Sequence, residues 1–185
     1  MAEISAQLVK QLRERTGAGM MDCKKALVEA NGDLPEAEII LRKKGIASAS
    51  NKESRSAKQG LISSFISADG KLGVLVEVNC ESDFVARTED FQALVADIAA
   101  HIAATKPKHV RLEDVTEAER ANIKAHETLY EQKFGKSGNT VGEIVKTKIA
   151  KLGENITIRR FARFKVGAAD WTVAQTKAVA ETPQA

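Results

Sequence analysis

Residues 79–87, NCESDFVAR, set a carboxylate, Asp83, beside a large aromatic, Phe84, between the most strand-like run of the chain and a long helical pattern. Turns at such places usually carry small polar residues. Two readings of Phe84 are open. It lies seven positions before Phe91, so an early-starting helix would put both on one buried face. Alternatively, Ser82, Asp83 and Thr88 are turn and cap residues, which would let the segment stand clear of the core and present Phe84 outward. Elsewhere, residues able to do chemistry are sparse. His101, His109 and His126 are the only histidines, Cys23 and Cys80 are far apart, and no spacing suits a metal. There is no Gly-rich phosphate loop, no GxSxG and no HExxH, so catalysis has no support.

Two further groups could bind partners. Arg159, Phe161, Arg163 and Lys165 alternate along one run and interleave an aromatic with cations, as single-strand binders do. The competing reading is an antiparallel strand with one solvated face. Met20 and Met21 follow Gly17 and Gly19 at a helix start; flexible thioethers suit either core filling or an adaptable protein contact.

These groups must be held by a chain of 185 residues with 43% hydrophobic composition, enough for one medium core or a core with a satellite module. With 28 basic and 25 acidic residues, the net charge of +3 argues only weakly for nucleic acid. The cysteine usage fits reduced thiols in a cytoplasm. The start, MAEISAQLVKQL, lacks a basic and apolar export signal, and no apolar run approaches the ~20 residues of a membrane span, so a soluble, cytoplasmic protein is expected.

Residues 1–45 read as three short helices. Ile4, Leu8 and Leu12 start the first; Cys23, Ala26, Leu27 and Ala30 line the second; Asp33-Leu34-Pro35-Glu36 opens the third, which is expected to end at Gly45. Residues 46–59 read as a polar linker, compatible with partial helix. From residue 60, two β-branched runs around Asp69-Gly70 predict a hairpin with a two-residue turn. Thr88 then caps a helix whose face is Phe91, Leu94, Val95, Ile98 and Ile102, up to Pro107. A weaker helix is expected over 113–134, and a firmer one carries Val141, Ile144, Val145, Ile149 and Leu152 before Gly153. A third strand, NITIRRFARFKV, is expected to turn Ile156, Ile158, Ala162, Phe164 and Val166 to one side, with Arg160 spoiling that face. Residues 168–185 read as a mobile tail.

LVKQLRERTGAGMMDCKKALVEANGD, LVEVNCESDFVARTEDFQ and IAKLGENITIRRFARF resemble, in that order, three signature regions of the bacterial elongation factor Ts family, and the likeness spans about residues 1–167. The resemblance implies an α+β fold, in which a three-helix ubiquitin-associated-like module precedes a core of antiparallel sheet packed with helices (60–167). It implies a non-enzymatic function: guanine-nucleotide exchange on the GTPase elongation factor Tu, with no cofactor. The family's Thr-Asp-Phe-Val motif, implicated in dislodging the GTPase's magnesium ion, corresponds to Ser82, Asp83, Phe84 and Val85; serine keeps the hydroxyl cap and loses a methyl. Arg13, Met20 and Met21 match residues that dock the N-terminal module, and HIAATKP makes His101 a contact of the core. Longer members duplicate the core half, whereas this chain has one hairpin and one closing strand, so the resemblance implies a homodimer. The 113–128 region is shorter than the family's. The competing class is an RNA-binding protein using the basic strand 157–165.

Overall fold

The computed structural model describes residues 4–135, 138–168 and 172–176. They fall into two compact units, residues 1–55 with 146–155, and residues 56–145 with 156–185.

The first unit is helical. Helix α1 (Ala6–Thr16) starts where Ser5 Oγ accepts the Leu8 N–H, and stops at Gly17 in a left-handed conformation. Helix α2 (Met20–Glu29) follows, then α3 (Leu34–Ser50), whose Asp33 cap accepts the Glu36 N–H at 2.7 Å. Val9, Leu12, Cys23, Ala26, Leu27, Ala30 and Ala37 form the buried centre, at helical spacing on α1 and α2, with Ala37 contributed by α3. Helix α3 does not end at Gly45. A Cβ there would sit 3.0 Å from that of Ala150, so this glycine marks a close helix crossing within the unit instead of a stop. Residues 46–50 are therefore helical, and Asn155 Nδ2 donates to the carbonyls of Glu53 and Arg55 beyond them.

The second unit is built on an antiparallel sheet of order β1-β2-β3-β4, with β1 Gln59–Ile66, β2 Leu72–Cys80, β3 Ile156–Lys165 and β4 Thr172–Gln175. Together the two units make an α+β protein. The hairpin loop is five residues long, not two: Asp69 Oδ1 accepts from Ser67 Oγ and Lys71 N, with Gly70 at φ 67°. Gly60 has φ 146°, and a Cβ there would lie 2.2 Å from the Val78 carbonyl oxygen. Only glycine fits so close a strand pair. Helix α5 (Glu89–Thr105) lies along β1 and β2, burying Phe91, Leu94, Val95, Ile98 and Ile102 on the face that Val74, Val76, Val78 and Cys80 present.

The alternation expected of β3 is broken by a bulge. Glu77 pairs with Arg160 and Val78 with Ile158, leaving Arg159 as the extra residue. A one-residue insertion exchanges the two faces beyond it. Phe161 therefore enters the core while Phe164 is exposed, and Arg160 points away from the core to Glu77, Nε to Oε2 2.6 Å. Ile62, Leu75, Phe164 and Val173 are exposed on the outer face of the sheet, with Ile66 beside them.

The helix expected over 113–134 is absent. Only α6 (Glu117–Arg120) and single 3-10 turns form there. The segment has no continuous apolar stripe, and its backbone is used otherwise: the Glu127 carbonyl accepts from Lys108 and His109, and Leu129 N–H donates to His109. Helix α7 (Val141–Leu152) runs as its periodicity predicts, with Gly153 at φ 81° after it. Of the stretch read as a tail, 172–175 is strand β4, paired with β3 through Arg160 to Arg163; residues 169–171 and 177–185 lie outside the described residues. No helix among the described residues is long and apolar enough to cross a membrane.

Candidate functional site

The strand β2 leaves the sheet at Cys80, whose Sγ–H donates to the Ser82 carbonyl at 3.0 Å. Ser82 is extended, and its Oγ accepts from Val85 N to start a single helical turn, α4 (Asp83–Ala86). Arg87 closes that turn, with its N–H directed at the Asp83 and Phe84 carbonyls. Thr88 separates it from α5 by two hydrogen bonds of its hydroxyl: Oγ1 donates to the Val85 carbonyl at 2.8 Å and accepts from Phe91 N at 3.3 Å.

Within the turn, Val85 and Ala86 are buried and Phe84 is 78% exposed. Residues advance about 100° each in a helix, so burying 85 and 86 forces 84 and 87 to the outside. The seven-residue spacing to Phe91 does not put both on one face, because the helix restarts at Thr88 and its phase is lost. Asp83 and Arg87 are exposed and paired, Oδ2 to Nη2 2.9 Å. The four residues Ser82 to Val85 thus divide into a cap, an exposed carboxylate, an exposed aromatic and a buried anchor.

In the other unit, Met20 is 45% and Met21 66% exposed at the start of α2, where Gly19 provides no side-chain cap. The core beneath them is filled by Cys23, Ala26 and Leu27. Met21, Lys24, Lys25, Val28 and Glu29 line a shallow depression. Arg13 is exposed on α1.

His101 is half-buried on α5. The amide of Gln132 donates to the His126 carbonyl, which turns its Oε1 toward His101 Nε2 at 2.9 Å. Thr105 Oγ1 lies 2.7 Å from the same oxygen, and the Phe134 ring is 5.1 Å from the imidazole. His101 therefore ties α5 to residues 126–134. Burial moves its titration below the ordinary histidine range, and the Gln132 bond opposes that shift. Glu127 braces the same segment through Lys108 Nζ at 2.6 Å and the Lys124 N–H at 2.9 Å; these hydrogen bonds bring its carboxyl down to about 2.

The basic strand does not form the row its sequence suggests. Arg159 occupies the bulge, Phe161 is in the core, and Arg163 is only partly exposed. Cys23 and Cys80 are buried free thiols. Among the described residues, no group of His, Cys, Asp and Glu could hold a metal ion.

The described residues thus present an outward aromatic on a capped single turn in one unit and two exposed methionines at a helix start in the other. The family model for elongation factor TS matches residues 46–121 and 81–175. The chain is 58% identical to elongation factor Ts of Solibacter usitatus over 197 residues, covering 90% of this chain and 93% of that protein. It is 52% identical to that of Koribacter versatilis over 205 residues, 95% and 94% of the two chains. The counterpart from Carboxydothermus hydrogenoformans is 47% identical, with 89% of each chain covered. The chain belongs to the elongation factor Ts family of translation elongation factors.

The His101 titration has a definite consequence. A histidine whose folded pKa is depressed disfavours protonation of the folded state, so its contribution is present above about pH 6.5 and lost as pH falls through the folded value. Urea midpoints measured at pH 7.5 and 5.5 are expected to fall on acidification, and to fall less in His101→Asn. An equal drop in both proteins would remove His101 from the acid response.

Proposed function

We propose that this protein is a guanine-nucleotide exchange factor, not an enzyme in the chemical sense: it binds GDP-bound elongation factor Tu and promotes GDP release by disturbing the magnesium site, so that GTP can bind. The observation that carries the reading is the outward Phe84 on a turn that is capped at both ends and anchored by Val85 and Ala86. A GTPase holds its nucleotide through a phosphate loop and a magnesium ion, so an exchange factor need not touch the nucleotide. Inserting the Phe84 ring between elements of the partner would displace groups that position the ion; burying it supplies about 1.5–3 kcal/mol toward that distortion. Asp83 would act on the ion's charge and water ligands at close range. By linkage, factor and nucleotide weaken each other by the same factor, so the protein is not consumed.

Residues 1–45 serve in this reading as the GTPase-docking module, through Met20, Met21 and Arg13, and residues 60–167 as the exchange core. Their support is exposure: both methionines lie outside a core already filled by Cys23 and Leu27. His101 belongs to the core's share of docking, through the shape it imposes on 126–134 as well as through the accessible part of its ring.

The protein acts as a homodimer in this proposal. The outer sheet face has Ile62, Ile66, Leu75, Phe164 and Val173 exposed, more apolar surface than a strand face in water normally carries. Glu77 between Arg159 and Arg160 supplies opposite charges on that sheet, which a two-fold copy can match. RNA binding has less support, since the bulge removes the interleaved basic row.

Three outcomes test these statements. Phe84→Ala is expected to leave the melting temperature almost unmoved while release of labelled GDP from elongation factor Tu slows sharply; a core phenylalanine would instead cost about 3–5 kcal/mol of stability. Replacing Met20 and Met21 together by alanine is expected to weaken binding of the GTPase by ~1–3 kcal/mol with unchanged folding; unchanged affinity would dismiss the docking role. Light scattering is expected to give a dimer mass at micromolar concentration and a monomer mass for Leu75→Asp. A wild-type monomer with full exchange activity would count against dimerisation.

A further inference from the structure

We propose that Arg87 is a positioning residue for the exchange site: its guanidinium orients and neutralises the Asp83 carboxylate so that the turn can approach an anionic magnesium–nucleoside diphosphate. This rests on the exchange-site reading above and adds a residue to it. Arg87 Nη2 lies 2.9 Å from Asp83 Oδ2, with the two side chains 80% and 67% exposed. Exposed pairs of this i, i+4 kind contribute little to folding. The turn does not need this one: Ser82 and Thr88 cap it, Val85 and Ala86 anchor it, and Arg87 closes it through backbone alone.

The charge pattern gives the pair a different use. From residue 79 to residue 91, Arg87 is the only basic side chain, against the carboxylates of Glu81, Asp83, Glu89 and Asp90. A nucleoside diphosphate with its magnesium ion is a net anion, so the exposed carboxylate of Asp83 is repelled on approach unless its charge is offset. The repulsion is greatest at the exposed tip, where Phe84 and Asp83 must arrive first. Arg87 cancels the charge of the leading carboxylate and fixes its direction during the encounter. The benefit exists only while nucleotide occupies the partner; an emptied site presents no diphosphate to repel.

The test compares association rates of Arg87→Ala with fluorophore-labelled elongation factor Tu, by stopped flow, in the GDP-bound and nucleotide-free forms. At low salt the variant is expected to associate about three- to tenfold more slowly with the GDP form, and near the wild-type rate with the empty form. The deficit should close at about 1 M salt, where the screening length is ~3 Å. Arg87→Lys, which keeps the charge, should restore most of the rate. Should Arg87→Ala lower the melting temperature, Arg87→Gln carries the same comparison. Equal slowing with both forms, or no slowing with either, overturns the role of Arg87. Asp83→Ala and Phe84→Ala run alongside: if they impair GDP release while Arg87→Ala does nothing, only this inference falls. If they too are without effect, the exchange-site assignment falls and takes this inference with it.

Discussion

Burial of two adjacent residues, Val85 and Ala86, is the constraint on which the site depends. A helical turn of four residues has one inward direction, and these two small side chains occupy it. The aromatic beside them then has nowhere to go but outward. The hydroxyls of Ser82 and Thr88 make this arrangement rigid by satisfying the free backbone groups at both ends of a helix too short to stabilise itself. Exposing Phe84 forgoes the burial energy an aromatic normally brings to folding.

The same economy governs the sheet. One face is filled by α5; the other keeps Ile62, Leu75 and Phe164 at the surface. A single inserted residue, Arg159, decides which side chains of β3 meet which face. Without it, Arg160 would be driven into the core and Phe161 expelled from it. With it, Arg160 reaches Glu77 on the outer face, where its guanidinium stays more than half exposed instead of being buried in the core.

Much of this fold could be read from periodicity and caps. Helices α1, α2, α5 and α7 and the hairpin strands carry stripes or alternation with recognisable stops. What escaped has a common cause: tertiary contacts that leave no local mark. Gly45 reads as a helix stop, yet it admits the close approach of Ala150. The bulge at Arg159 looks like a polar blemish in a regular strand. Strand β4 is too short for a pattern and is defined only by its partner. At the site, the sequence located the turn and its capping hydroxyls, and the family resemblance supplied the motif. Spacing to Phe91 and the turn residues give opposite answers on the direction of Phe84, and the motif's role in the family implies the outward one. Burial of Val85 and Ala86, which no spacing announces, decides between them.

Gly60 bears on how the chain avoids error while folding. Strand pairings that slip by two residues keep every side chain on its proper face, so the hydrophobic pattern alone cannot reject them. At this hairpin the backbone can. The position opposite Asn79 leaves no room for a Cβ against the Val78 carbonyl. Sliding β1 by two in either direction would bring Lys58 or Ile62 there, each with a side chain to clash. The close approach therefore works as a steric index mark, distinguishing the one alignment of β1 and β2 that glycine permits from its near-equivalent neighbours. Since β2 leads directly into the turn carrying Phe84, an alignment fault in this hairpin is excluded at the strand that feeds the site.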